Sequence, residues 1–227
     1  LEFRRVLFRS VNVRAVGFDF DGTLAVQSGG WTLLHELYGT TAEGDERTAA
    51  YRNDQLTFEG WCRGNVADWR DRGVTEADIG RAADALKLTT GADALLQWVN
   101  EQELPFGVLS AGLTDLMAPV QRYNPAFTVS NDLRFDGGRL AGVDATVGPD
   151  DKGDLLEAAC ADLGVAPSEM AYVGDSHTDV EAFEVAGYGI LFDPDSRFPD
   201  SGYELVDEVY EERDLRHVRD ALADLLD

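Results

Sequence analysis

Short apolar runs and longer helical stretches alternate along this chain of 227 residues. Residues 15–20, 104–109, 170–173 and 189–192 are apolar and end beside polar or small residues, the pattern of buried parallel strands. Between them, apolar residues recur at helical spacing over 92–102, 113–123, 154–163 and 178–186. A further strand is expected at 127–129, and Asp136-Gly137-Gly138 between alternating runs predicts a β-hairpin within 131–146. A last helix is predicted over 213–226, with Leu215, Val218, Leu222 and Leu225 on one face. Residues 26–89 break the rhythm: helical patterns over 31–38, 43–54, 58–70 and 76–86 follow one another with no strand between. Thr75 and Asp78 mark the start of the last of these as a near capping box. Strand and helix in alternation predict an α/β fold, a doubly wound parallel sheet formed by residues 11–25 and 90–227. A small helical cap, residues 26–89, is inserted after the first strand. No internal repeat interrupts this plan.

Charge narrows the possible partners. Asp and Glu total 43 against 19 Lys and Arg, a net charge of −24, and the acids are spread along the chain. Such a field repels nucleic acid and anionic membrane. No apolar stretch approaches the roughly 20 residues of a membrane span, so a soluble, cytoplasmic protein is expected. The acidic surface predicts adaptation to a salt-rich cytoplasm, where screening relieves self-repulsion. Lysine occurs only as Lys87 and Lys152, which singles out Lys152 as a residue kept for more than solubility. Cys62 and Cys160 are far apart and read as free buried thiols of a reducing compartment. Residues 1–10, with Arg4, Arg5 and Arg9 against one acid, do not share this chemistry. They are too short and broken in hydropathy for a secretory signal and are expected to be a non-native tail, a cloning or read-assembly remnant. Oligomeric state is not readable.

Four segments carry chemistry: Asp19-Phe20-Asp21-Gly22-Thr23, Leu109-Ser110-Ala111-Gly112, Asp151-Lys152-Gly153 and Gly174-Asp175-Ser176-His177-Thr178-Asp179. Each falls at a predicted strand end or helix start, and in a parallel sheet the carboxyl ends of strands share one crevice. Clustered carboxylates repel one another unless a cation neutralises them. Oxygen ligands point to Mg²⁺, which takes one or two carboxylates and keeps waters for a phosphate to replace. One aspartate can attack phosphorus, and a second can give a proton to the leaving oxygen and take one from water. A lysine offsets charge on the transferring group, and Ser110 can donate to a phosphate oxygen.

These four segments, in this order, resemble the motifs of haloacid-dehalogenase-superfamily phosphatases. The resemblance implies Asp19 as nucleophile, Asp21 as general acid/base, and Ser110 and Lys152 as holders of the phosphoryl group. Gly22, Thr23 and Ala111 complete the implied phosphate cradle. Mg²⁺ is implied at Asp19, at Asp21 through its backbone carbonyl, and at Asp175, with Asp179 holding the metal or its waters. An acid at position 21 argues against dehalogenation. The helical insertion, residues 58–61 (FEGW) and the hairpin resemble the phosphoserine-phosphatase-like branch, and residues 29–39 (GGWTLLHELYG) are similar to its archaeal members. Phosphoserine phosphatases carry an acid where this chain has Ser28 and a carboxylate-gripping arginine where it has Asn65, with Arg63 two residues away. The implied function is hydrolysis of a small phosphorylated metabolite. A phosphoserine phosphatase proper, a phosphotransferase or mutase, and a phospho-ligand-binding module without turnover are the alternatives.

Taken singly, each motif has a plainer reading. Asp19-x-Asp21-Gly22 lacks the later ligands of a calcium loop, and Asp175 and Asp179 suit a helix start on their own. His177 reads as a solvent-facing loop residue, and His35 and His217 as structural. Trp31, Phe58, Trp61 and Trp69, spaced along predicted helices, read as packing rather than as a substrate wall.

Overall fold

The computed structural model describes residues 12–226. The tail expected at residues 1–10 lies outside them. β1 (Ala15–Phe18) is followed by four helices: α1 (Gly30–Tyr38), α2 (Thr41–Arg52), α3 (Phe58–Asp71) and α4 (Glu76–Ala85). Then come α5 (Ala92–Glu101), β2 (Phe106–Leu113), α6 (Ala118–Gln121), β3 (Phe127–Asp136) and β4 (Arg139–Asp144). The chain ends with α7 (Lys152–Leu163), β5 (Met170–Gly174), α8 (Val180–Val185), β6 (Tyr188–Phe192), β7 (Glu208–Tyr210) and α9 (Arg216–Leu226). The seven strands form one sheet in the order β4-β3-β2-β1-β5-β6-β7. All neighbours pair in parallel except the β3–β4 hairpin. This is the doubly wound α/β sheet expected from the sequence.

The period of two along each strand sorts side chains to two cores. Val16, Phe18 and Val108 face a core completed by Leu95, Leu96, Val99, Val218 and Leu222 of α5 and α9, which continues into Trp69 and Ile79 of the four-helix segment. Ala15, Leu109 and Tyr172 face the other, completed by Leu156 and Cys160 of α7 and Phe183 of α8. The chain runs outward from β1 to β2 and β3, then returns to place β5 on the opposite side of β1. The point where the strand order reverses, between β1 and β5, is where such sheets bind ligands.

Three local expectations change. β2 continues through Ser110, Ala111 and Gly112 to Leu113. The helix expected over 113–123 is only a 3-10 turn, Thr114–Leu116, and the short α6, with Pro119 at its start. Asp115 turns aside to accept from the backbone N–H of Leu133 at 2.8 Å, and Pro119 has no N–H to continue a helix. β7 has no counterpart in the hydropathy pattern: it is three residues long, and Val209 at its centre is exposed.

The four-helix segment is tied to the sheet beyond its two chain connections. The hairpin turn uses Gly137 and Gly138 at φ +56° and +75°, the left-handed pair that a two-residue turn requires. The turn meets the start of α4: Thr75 bridges Arg139, and Glu76 N donates to Gly138 O at 3.0 Å. The capping box is present, with Thr75 N donating to Asp78 Oδ2 at 2.9 Å and Asp78 N to Thr75 Oγ1 at 3.3 Å. No helix among the described residues is long and apolar enough to cross a membrane. Cys62 and Cys160 are free and buried.

Candidate active site

The carboxyl ends of β1, β2 and β5 and the start of α7 bring Asp19, Ser110, Asp175 and Lys152 together. Side-chain oxygens of Asp19, Asp175 and Asp179, all buried, lie within 4.8 Å of one another. Lys152 is fully buried, and its Nζ donates to Asp179 Oδ1 at 2.6 Å. It also lies 3.0 Å from Asp19 Oδ1, off the hydrogen-bonding direction, so that this oxygen has no hydrogen-bond partner. Burial alone would lower the Lys152 pKa, but Asp179 and then Asp19 outweigh it and raise it. The ammonium is therefore held charged.

Asp179 is saturated by protein donors. Its Oδ1 accepts from Lys152 and from the Tyr172 hydroxyl at 2.8 Å; its Oδ2 accepts from the backbone N–H of Ser176 at 2.9 Å and of Asp175 at 3.1 Å. Ser176 and Asp179 form the reciprocal cap of the 3-10 turn that follows β5. Burial, then Asp179 and Asp19, drives the Tyr172 hydroxyl pKa well above its usual value, so it stays a donor.

The remaining carboxyls carry the cost of crowding. Burial raises Asp19, and Lys152 only partly opposes this. Burial, with Asp19 and Asp179 behind it, pushes Asp175 up to about 9. Buried carboxylates that raise one another, with an oxygen left unpartnered, are a donor set that a hard divalent cation satisfies. The residues thus fit the implied Mg²⁺, with Asp19 and Asp175 presenting free oxygens.

Asp21 stands outside this cluster and lines the same cavity. Its Oδ2 accepts from the backbone N–H of Gly30 at the start of α1, at 3.1 Å. Burial pushes its pKa up to about 7, against the pull of that N–H. A carboxyl that exchanges its proton near neutrality can both protonate a leaving oxygen and accept a proton from water. Gly22 sits at φ +85°, where a Cβ would run into the Asp175 carboxylate. Its N–H is spent on Gln27 O at 2.7 Å. Thr23 is fully buried and its hydroxyl donates to Asp175 Oδ1 at 3.3 Å. Neither Gly22 nor Thr23 lines the cavity beside Asp19; both stand behind the carboxylates and shape the loop. Ser110 and Ala111 do line it.

That cavity holds about 420 Å³. Its other side is aromatic, formed by Trp31, Tyr51, Phe58 and Trp61 from α1, α2 and α3. The packing expected of these rings is only part of their placement. Trp69 is buried in the core, whereas Trp31, Phe58 and Trp61 pack on one another and also face the cavity. His177 is exposed at the rim. His35 is buried and bonded to Thr40 Oγ1 at 2.7 Å, and His217 lies 3.3 Å from Glu212. Asn65 is buried, and its Oδ1 accepts from Arg47 at 2.8 Å. Arg63 pairs with Glu59 at 2.5 Å on the exposed face of α3.

Three supporting residues had no signal in the sequence. Tyr172 lies inside an apolar run and reads as a strand residue. Asn131 holds the end of β2 by donating to Ala111 O at 2.9 Å and accepting from Val147 N at 2.9 Å. Arg213 reaches back to donate to Gly22 O at 3.0 Å and Val26 O at 2.9 Å, bracing the loop after β1 from the far end of the chain.

The family model of haloacid dehalogenase-like hydrolases matches residues 16–184. The chain belongs to that family. It is 30% identical over 182 residues to a phosphoserine phosphatase of Streptomyces coelicolor, covering 79% of this chain and 44% of that protein. It is 25% identical over 204 residues to a phosphoserine phosphatase of Methanocaldococcus jannaschii, covering 88% and 93%. The chain thus spans less than half the length of the first of these relatives and nearly all of the second. Among solved structures, a substrate-bound phosphoserine phosphatase complex superposes with a TM-score of 0.76 at 22% identity, covering 92% of this chain and 98% of that one. A phospho-aspartyl intermediate analogue of phosphoserine phosphatase superposes with a TM-score of 0.75, also at 22% identity, covering 92% and 99%. At that identity the likeness is one of fold.

Proposed function

We propose that the protein is a Mg²⁺-dependent phosphatase that hydrolyses a small phosphomonoester through an aspartyl-phosphate on Asp19. The observation that carries this reading is the buried Asp19 carboxylate between the Lys152 ammonium and Asp175, opening on the cavity that Asp21 also lines. A carboxylate oxygen of Asp19 attacks phosphorus, and the bond from phosphorus to the ester oxygen breaks. Asp21 gives its proton to that oxygen, and the alcohol leaves. Asp21 then takes a proton from water, the resulting hydroxide displaces Asp19 from phosphorus, and inorganic phosphate is released. Ser110 and Lys152 hold the phosphoryl oxygens, and Asp179 and Tyr172 keep Lys152 in place. Asp19 and Asp175 would hold Mg²⁺, which supplies positive charge against the phosphoryl oxygens. Helices α1–α4 act as a cap that shields the aspartyl-phosphate from bulk water.

Release of p-nitrophenol and free phosphate from p-nitrophenyl phosphate in MgCl₂, lost in EDTA, tests the proposal. Phosphate found on a second alcohol instead would make the protein a phosphotransferase, and no turnover would make it a binding module. The acidity and the two buried thiols support a reducing, salt-rich cytoplasm as the working environment. The melting temperature is then expected to rise with KCl; highest stability in low salt would contradict it.

A further inference from the structure

Building on the phosphatase reading above, we infer that the substrate's leaving group carries a flat, uncharged aromatic ring, and that the cavity is not built for O-phosphoserine. Three helices converge on the wall opposite Asp19. Trp31 and Trp61 lie 4.9 Å apart between ring centroids at 58°, and Phe58 stacks on Trp61 at 5.7 Å and 20°. The rings brace one another, so little side-chain freedom remains to be lost when a ligand arrives.

The wall has no indole donor to offer. Trp31 Nε1 donates to Ala111 O at 3.0 Å, and Trp61 Nε1 donates to Thr48 Oγ1 at 3.1 Å. What the two indoles leave for a ligand is ring face and ring edge, which favour a flat apolar group, beside the Tyr51 hydroxyl. The Trp31 bond also registers the wall against the residue next to Ser110, so the ring and the phosphoryl position keep a fixed separation.

The position that the resemblance gives to a carboxylate-gripping arginine holds none. It is Asn65, buried and held by Arg47, which is itself held by Asp68 at 2.7 Å. Arg197 at the rim is bound to Asp195 at 2.7 Å. Arg52 is the one lining Lys or Arg with no carboxylate partner among the described residues, and Asp150 lines the same cavity without a cation. The leaving-group end is thus close to neutral. A volume of about 420 Å³ falls in the range of roughly 300–1,000 Å³ typical of drug-sized ligands.

Binding to the Asp19→Asn protein in MgCl₂, read by tryptophan fluorescence, tests the wall without turnover. The probes are 2-phenylethyl phosphate and propyl phosphate, whose alcohols are similarly acidic, with O-phosphoserine and phosphocholine beside them. The phenylethyl ester is expected to bind about tenfold tighter than the propyl ester. Trp61→Leu, which keeps an apolar side chain but removes the ring, is expected to narrow that ratio to below about threefold, and Phe58→Leu provides a second reading if Trp61→Leu does not fold. Equal binding of the two esters, or a preference for phosphocholine, overturns the inference. So does a preference for O-phosphoserine, and its loss in Arg52→Gln would assign the carboxylate to Arg52. Turnover of p-nitrophenyl phosphate by the unaltered protein is measured separately: its absence, with the phenylethyl preference intact, overturns the phosphatase reading and leaves the wall standing.

Discussion

The two sides of the cavity are assembled differently. On the side of the buried carboxylates, Asp19 and Asp175 follow the ends of β1 and β5, Ser110 lies within the neighbouring β2, and their surroundings are charges and hydrogen bonds. On the opposite side, Trp31, Tyr51, Phe58 and Trp61 come from three helices, and their surroundings are other rings. The first side has almost no freedom to vary, because each buried charge depends on a named partner. The second is held by packing, which tolerates exchange among side chains of similar volume. The two sides of the cavity therefore differ in their tolerance to change.

Substitutions sharpen that contrast. The largest effect is expected for Asp19→Asn, which should lower kcat for p-nitrophenyl phosphate by on the order of 10³ or more while leaving the fold intact; phosphate release and circular dichroism together check it. Lys152→Ala leaves two buried carboxylates without their cation, and urea unfolding should show a loss of about 3–5 kcal/mol. Tyr172→Phe removes one donor to a buried carboxylate and should cost about 1.5–3 kcal/mol in the same measurement. It should slow turnover more than it raises KM, because Tyr172 acts through Asp179 and Lys152 rather than on the substrate. Phe58→Leu should cost under about 1.5 kcal/mol. Should Phe58→Leu prove as destabilising as Lys152→Ala, the contrast between the two sides fails.

The same contrast explains what could be read in advance. Asp19, Ser110, Lys152 and the Asp175–Asp179 pair lie in short contiguous segments, so residue type and order suffice to mark them as candidates. The aromatic side was legible only as helix-spaced rings, since nothing along a helix says whether a ring faces a core or a cavity. Trp31 stacks on the buried Trp69 yet reaches the cavity with Phe58 and Trp61, whereas Trp69 does not. Gly22 and Thr23, expected in the phosphate cradle, do not line the cavity, because a motif shows which residues form a loop, not which of their donors are spent within it. Tyr172 hides because a tyrosine in a buried strand looks like any other apolar residue until its hydroxyl finds Asp179. Arg213 acts on a loop 191 positions away in the chain, beyond the reach of any local pattern.

The junction between the β3–β4 turn and the start of α4 has a consequence for traffic through the cavity. A helical unit joined to a sheet by two linkers alone could swing outward like a door. Here Thr75 and Glu76 are stitched to Arg139 and Gly138, and Trp31 to Ala111, attachments beyond the two linkers. Wide rotation would have to break those bonds on every turnover. Under the proposed function, arrival of substrate and departure of product then fall to the short segments at the rim, and loop motions of that kind run on nanosecond-to-microsecond scales rather than those of whole-domain swings.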